Sequence, residues 1–309
     1  MNAPEGPKAA AVSTRVHASG GGFVLGLTAY ALWGVLPVYF KALSSVAAVD
    51  IVAHRVLWSL PFLALLTSVT RGWDKMRAAA NRPRTLGILV ATAFLIGFNW
   101  LLYVYAVTSG HILAASFGYY LNPLANVLLG RFVLREKLAR LQWIAVAIAA
   151  AGISVLAAGA LSQLWLSLAL CISFALYGLL RKIVPADAIT GLGIETVILF
   201  PLAIGWLAWR HSAGAPVMGT SDAQAGLLLL AGIVSTTPLL LFTAAAKRLQ
   251  YSTLGMLQFL APTLQFAIAV LYGERITWAH VAAFPAIWLA LALYVTALLR
   301  SPRLPQPPE

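Results

Sequence analysis

The chain has 309 residues, 61% of them hydrophobic and only 10% charged, with a mean hydropathy of +0.86. Soluble globular proteins carry roughly a quarter charged residues, so this composition excludes an ordinary water-soluble domain and points to a chain dissolved in a bilayer. The net charge of +12 takes its meaning from where the basic residues fall, and the single cysteine, Cys171, leaves no intrachain disulfide and makes a thiolate metal site implausible.

A helix needs about 20 apolar residues to cross roughly 30 Å of hydrocarbon. Taken in chain order, the apolar runs place ten spans at about 23–43, 50–70, 86–107, 112–134, 141–159, 161–180, 189–209, 225–246, 252–273 and 278–299. Each run is about twice as long as a barrel strand needs, so the expected fold is an all-α integral membrane protein. The cut between the fifth and sixth spans falls near Gly159 to Gln163, inside one long apolar stretch. Residues 1–22 read as a flexible tail with no cleavable signal peptide, and residues 300–309 as a proline-rich tail.

With the N-terminus in the cytoplasm, sixteen lysines and arginines fall in inner regions and three, Lys41, Arg210 and Arg275, in outer ones. Basic loops resist translocation, so both termini are predicted to be cytoplasmic. The positive charge then marks topology and an affinity for anionic lipid headgroups, and nucleic acid is not an expected partner.

The chain also repeats itself. A shift of 139 residues pairs Leu101 with Leu240, Leu102 with Leu241, Ala106 with Ala245, Leu121 with Leu260, Pro123 with Pro262 and Asn126 with Gln265. A shift of 140 pairs Pro61 with Pro201, and a shift of 144 lays "YALWG" (Tyr30 to Gly34) over "SFALYG" (Ser173 to Gly178), joining Trp33 to Tyr177. The expected domains are two five-helix repeats, 23–159 and 161–299. Five is odd, so the second copy enters the membrane from the opposite side. Inverted repeats of this kind place a solute site near the midplane between the halves and expose it alternately to each side.

The segments "AYALWGVLPVYFKAL", "AHRVLWS", "GFNWLLYVYAV", "ASFGYYLNPLANVLLG", "YGLLRK", "IETVILFPLA" and "STTPLLLFTAAAKRL" resemble EamA-type transporters of the drug/metabolite transporter superfamily, and within them the RarD subgroup. The resemblance runs from about Gly26 to Leu299. It implies ten helices in two inverted repeats, a plasma (inner) membrane location, and export or exchange of small metabolites, without implying a particular substrate. The chain departs from the pattern at Arg135, which stands before Glu136 where a glycine is expected.

Charged groups at membrane depth are costly and therefore candidates for function. Glu195 is the carboxylate more than a turn inside a span, and Arg55 is its repeat counterpart at a shift of 140. The two do not pair on this topology, because each lies near a different boundary and their axial separation is roughly 15 Å. The expected partners are Glu274 for Arg55, closing the outer mouth, and Arg181 or Lys182, with Arg131 and Arg135 further off, for Glu195, closing the inner one. The competing reading has Arg55 snorkelling to headgroups and Glu195 fixing helix packing. His54 is either a proton-coupling group or a hydrogen bond to a neighbouring helix. Candidate substrate-binding residues, from spans one, three, four, six, eight and nine, are Trp33, Asn99, Trp100, Tyr119, Tyr120, Asn122, Asn126, Tyr177, Gln258 and Gln265. Amides hold a polar solute without burying charge, and aromatic faces cover its apolar body. Pro123 and Pro262 are expected to break their helices and free a carbonyl for a side chain or ligand.

No phosphate-binding loop, H-E-x-x-H motif or pair of intramembrane aspartates occurs in the sequence. No enzyme activity, metal or cofactor is expected. The expected function is non-ATP transport of a small organic solute or drug-like molecule by alternating access, in the direction of export, with proton coupling left open. A channel-like facilitator and a non-transporting membrane protein are the alternatives. The expected partners are the solute and the bilayer, and a homodimer is compatible with all of this.

Overall fold

In the computed structural model, residues 20–108, 112–157, 164–271 and 278–300 are described, and among them every regular element is helical. The helices are α1 (Gly20–Ala42), α2 (Ala48–Val69), α3 (Trp73–Ala80), α4 (Pro83–Thr108), α5 (Ile112–Phe132), α6 (Arg140–Ala157), α7 (Leu164–Ile183), α8 (Ala188–Ser212), α9 (Asp222–Arg248), α10 (Tyr251–Leu257), α11 (Leu260–Leu271) and α12 (Trp278–Arg300). Seven of them (α1, α2, α4, α7, α8, α9 and α12) contain a stretch long and apolar enough to cross a membrane. Large apolar side chains such as Phe94, Phe98, Leu101, Trp165, Ile172, Leu202 and Leu289 are exposed on the outside, a surface suited to acyl chains rather than water.

Local chemistry accounts for several boundaries. Asp187 precedes α8 and its carboxylate accepts the amide of Thr190 at 2.8 Å, and Ser221 likewise caps α9 at Gln224. These bonds satisfy amides that the first turn leaves without partners. Lys182 and Lys247 close the opposite ends reciprocally. Lys182 Nζ donates to the carbonyls of Ala246, at 2.8 Å, and Leu249 at the end of α9, and Lys247 Nζ donates to those of Lys182, at 3.1 Å, and Val184 at the end of α7. Cations at helix C-termini meet both the free carbonyls and the negative end of the dipole.

Three features depart from the sequence expectation. The polar link after the second span folds as the short helix α3. The first helix reaches back to Gly20, within the stretch read as tail, and Gly22 lets it approach the end of α9: a Cβ there would stand 2.9 Å from that of Arg248. The two prolines behave differently. Near Pro262 the α-helical bonding gives way at Gln258 and Phe259 to tighter turns, with each amide bonding three residues back, and this divides α10 from α11, because the missing N–H and the ring both disrupt the preceding turn. Pro123 does not break α5, which runs through it continuously; neighbouring helices tolerate one lost backbone bond at membrane depth. The cut near Gly159 to Gln163 lies outside the described residues.

The helices pack as follows: α6 on α12, α5 on α7 and α10, α2 on α8 and α9, α1 on α9 and α11, and α4 on α7 and α8. One core joins α1, α2, α4, α7, α8, α9 and α10 around Tyr30, Leu63, Ile96, Tyr177 and Phe242. A second joins α5, α6, α10 and α12 around Val127, Ala149, Phe259 and Tyr294.

Candidate functional site

A narrow cleft lies between α2, α4, α8 and α9, lined by Val56, Ser59, Ile96, Trp100, Leu192, Glu195, Thr196, Leu199, Ser235, Thr236 and Leu239. Two close crossings frame it. On one side α2 meets α9 so tightly that a Cβ on Gly232 would overlap the backbone of Trp58 and Ser59, and Ser59 Oγ lies 2.5 Å from Thr236 Oγ1. On the other, Leu199 of α8 packs over Gly97 of α4, where a Cβ would stand 3.2 Å from the leucine methyl.

Glu195 is the acid in this cleft, and it is 2% exposed. Thr92 Oγ1 donates to its Oε1 at 2.6 Å and Tyr177 OH to its Oε2 at 3.3 Å. Arg181, fully buried, faces Oε1 through Nε at 3.5 Å, which is an ion pair rather than a hydrogen bond. The same guanidinium donates through Nη2 to the carbonyls of Asp187 and Ala188 at 3.3 and 3.2 Å. Of the cations expected near Glu195, Arg181 is the one the fold brings to it, while Lys182 is engaged in the helix-end exchange.

Arg55 has a different environment. Its guanidinium carbon lies 4.4 Å from the centre of the Trp100 ring, and the phenols of Tyr119, Tyr39 and Tyr103 are within electrostatic reach. It makes no ion pair with a described residue, and its Nε is buried without a hydrogen-bond partner. Glu274 lies outside the described residues. His54, next to it and buried, points elsewhere: Nδ1 accepts from Trp58 Nε1 at 3.2 Å and Nε2 lies 2.8 Å from the carbonyl of Val217. These partners require the neutral ring with its proton on Nε2.

A second ion pair was not anticipated. Asp50, 2% exposed at the start of α2, receives Arg210 of α8 through Nη2 at 2.9 Å and Nε at 3.2 Å, with Trp206 Nε1 donating at 2.8 Å. The sequence signal was available, since Asp50 and Arg210 both stand at predicted outer ends. Glu195 and Arg210 are fifteen residues apart on α8, about 22 Å along its axis. The two pairs therefore tie opposite ends of one helix, to α7 at one end and α2 at the other.

The remaining candidates divide by surroundings. Trp100 lines the cleft and Tyr177 reaches it through Glu195. Trp33 packs in a cluster of tilted and edge-on rings with Tyr30, Phe174 and Phe242. Asn99 joins α4 to α7 by donating to Leu170 O at 3.0 Å and Ser173 Oγ at 2.9 Å, and accepts from Tyr119 OH at 3.4 Å. Asn126 donates to Gln258 at 3.0 Å where α5 crosses α10 at Gly255. Asn122 is fully buried with neither amide atom partnered. Tyr120 packs on Phe284, and Gln265 is exposed, donating to Trp33 O at 3.1 Å. The cleft is thus formed by spans two, three, seven and eight rather than by the six spans expected. The residues not foreseen are small hydroxyls and aliphatics, whose signal was their register: Ser59, Ser235 and Thr236 sit within a turn of the polar pair Arg55 and Glu195 or opposite them.

Glu136 closes a last feature of the fold. Arg135 adopts φ 56°, the left-handed region that glycine tolerates best, and so turns Glu136 onto the start of α10. The carboxylate there accepts the amides of Tyr251 and Ser252 at 2.5 and 3.0 Å and the Ser252 hydroxyl at 2.6 Å. A glycine there would meet the same backbone requirement without a Cβ penalty.

An all-helical chain with an apolar exterior, buried ion pairs and a small polar cleft between its helices has the architecture of a multi-pass membrane transporter. The profile of the EamA-like transporter family matches residues 20–158. The chain is 45% identical over 293 residues to an uncharacterized transporter of Pseudomonas aeruginosa, covering 93% of this chain and 97% of that one. It is 43% identical over 283 residues to the protein RarD of Escherichia coli, covering 89% and 93%. A crystal structure with 18% identity superposes with a TM-score of 0.72 over 91% of this chain and 99% of the other, which shows a shared fold. The chain belongs to the RarD subgroup of the EamA-type transporters, in the drug/metabolite transporter superfamily.

Proposed function

We propose that the protein is a secondary transporter that moves a small organic solute across the plasma membrane by alternating access, with export as its direction. Its ten spans are α1, α2, α4, α5 and α6 in one repeat, and α7, α8, α9, the α10–α11 pair and α12 in an inverted second one. Both termini are cytoplasmic on the charge distribution of the loops.

One observation carries this reading: most of the cleft lining, all but Leu192, Glu195 and Thr236, maps onto itself when the halves are exchanged. At a shift of 140, Val56 pairs with Thr196 and Ser59 with Leu199; at 139, Ile96 pairs with Ser235 and Trp100 with Leu239. The helix contacts follow the same rule. The α1–α9 contact corresponds to α7–α4, α1–α11 to α7–α5, and α2–α9 to α8–α4, while α2–α8, α5–α10 and α6–α12 correspond to themselves. A cleft on such an axis is the one place from which two equivalent packings open to opposite sides. The pairs Asp50–Arg210 and Glu195–Arg181, at opposite ends of α8, are suited to holding each mouth in turn.

The test is flux through the purified protein in liposomes loaded with labelled amino acids, nucleobases and amphipathic drugs. Saturable efflux with counterflow is expected for at least one of them. Flux that rises linearly with concentration and shows no counterflow would make the protein a channel. Repeating the assay with an inward proton gradient decides whether protons drive it.

A further inference from the structure

Among the described residues the charges around the cleft do not balance, and the imbalance has a sign. Glu195 is matched by Arg181, and Asp50 by Arg210. Arg55, one turn before Ser59 on α2, has no acid among the described residues. The Trp100 face stabilises its charge, but it does not supply the negative charge that a guanidinium drawn out of water ordinarily finds. Its repeat counterpart, Glu195, has three side-chain partners; Arg55 has an unpartnered Nε and an aromatic wall. A transporter site that must release its solute cannot neutralise its anchor permanently.

We propose that Arg55, which lies beside the cleft over the Trp100 ring that lines it, anchors the carboxylate of a small organic monoanion whose apolar body enters between Trp100, Ile96 and Leu239 when the helices part. This rests on the transport reading and names its substrate class. The planar fork of the guanidinium presents two parallel N–H donors to a carboxylate. Arg55, the cation at the cleft without an ion pair among the described residues, matches a single negative charge, whereas a phosphate dianion would leave one charge unmatched. Thr236 and Ser235, on α9, offer hydroxyls to the rest of the solute.

The probes are phenylacetate, indole-3-acetate and hexanoate, with phenylacetamide and phenethylamine as neutral and cationic counterparts of the first. Binding to the purified full-length protein in neutral detergent is measured by calorimetry for wild type, R55Q and R55K, each first shown to be monodisperse. At least one carboxylate binds wild type, and binds more tightly than the amide or amine. R55Q weakens it roughly ten- to hundredfold, the worth of hydrogen bonds to a charged group. R55K, which keeps the charge without the fork, falls between, and carries the test if R55Q does not fold. The proposal is overturned if no carboxylate binds, if the amide or amine binds as well, or if folded R55Q and R55K bind like wild type. Counterflow in liposomes separates this inference from its foundation. Carboxylate binding without any saturable flux removes the transport reading and leaves the anchor. Saturable flux of neutral or cationic solutes that R55Q leaves unchanged removes the anchor and leaves transport.

Discussion

The guanidinium of Arg181 fills the space beside the Cα of Gly191, so that even a methyl group there would overlap it. The start of α8 is built around this contact, with the carbonyls of Asp187 and Ala188 accepting from the same group and Glu195 one turn further on. Gly191→Ala is therefore expected to displace Arg181 and strand a buried carboxylate. Breaking a buried pair by removing one partner costs about 3–5 kcal/mol. The check is thermal unfolding in detergent alongside flux: a G191A protein that melts and transports like wild type would refute the packing described for this corner.

Asp50 and Arg210 should behave as a unit. Arg210 is 29% exposed but its partner is not, so Arg210→Gln leaves the carboxylate with Trp206 as its remaining donor. Hydrogen bonds to charged groups contribute about 1.5–3 kcal/mol, and each single change (Asp50→Asn, Arg210→Gln) is expected to cost an amount in that range. A double-mutant cycle on unfolding should give a double variant much less damaged than the sum. Additive losses would mean the two ends of α2 and α8 are held by something else.

His54 is committed to structure. Protonating it would turn Nδ1 into a donor facing the Trp58 N–H. Any proton dependence that flux shows is expected to survive in His54→Gln, with a small loss of thermal stability from the altered bond to Val217. Comparing flux against pH in the two proteins settles the point, and a flattened profile in the variant would make His54 the coupling group after all.

At Arg135 the chain holds a left-handed backbone with a side chain that resists it. The strain is on the order of 1 kcal/mol, so Arg135→Gly should raise the melting temperature, and Arg135→Val, with its branched Cβ, should lower it. The cap that Glu136 forms on α10 should persist in the glycine variant. Two melting curves are sufficient, and a glycine variant less stable than wild type would show that the arginine side chain contributes more than its backbone costs.

The composition and the length of its apolar runs determined that the chain is an all-helical membrane protein, because a bilayer leaves only helices and closed barrels to satisfy the backbone and the runs are too long for barrel strands. The same sequence carried the registers 139 and 140, and with them the correspondence of Arg55 to Glu195, since a shift is a property of order along the chain. It did not reveal which residues face the cleft. In a soluble helix the core face is apolar and the outer face polar; here the lipid face is apolar too, so the periodic contrast that would orient each helix about its own axis is largely erased. Asn99 and Trp100 are neighbours in sequence, yet one ties α4 to α7 and the other walls the cleft beneath Arg55. Glu195 could have met Arg181 or Lys182, one residue apart on α7, and about 100° of helix rotation sent the first to the carboxylate and the second to the end of α9. Rotation of that kind is set by packing between helices distant in the chain, and only the tertiary structure decides it.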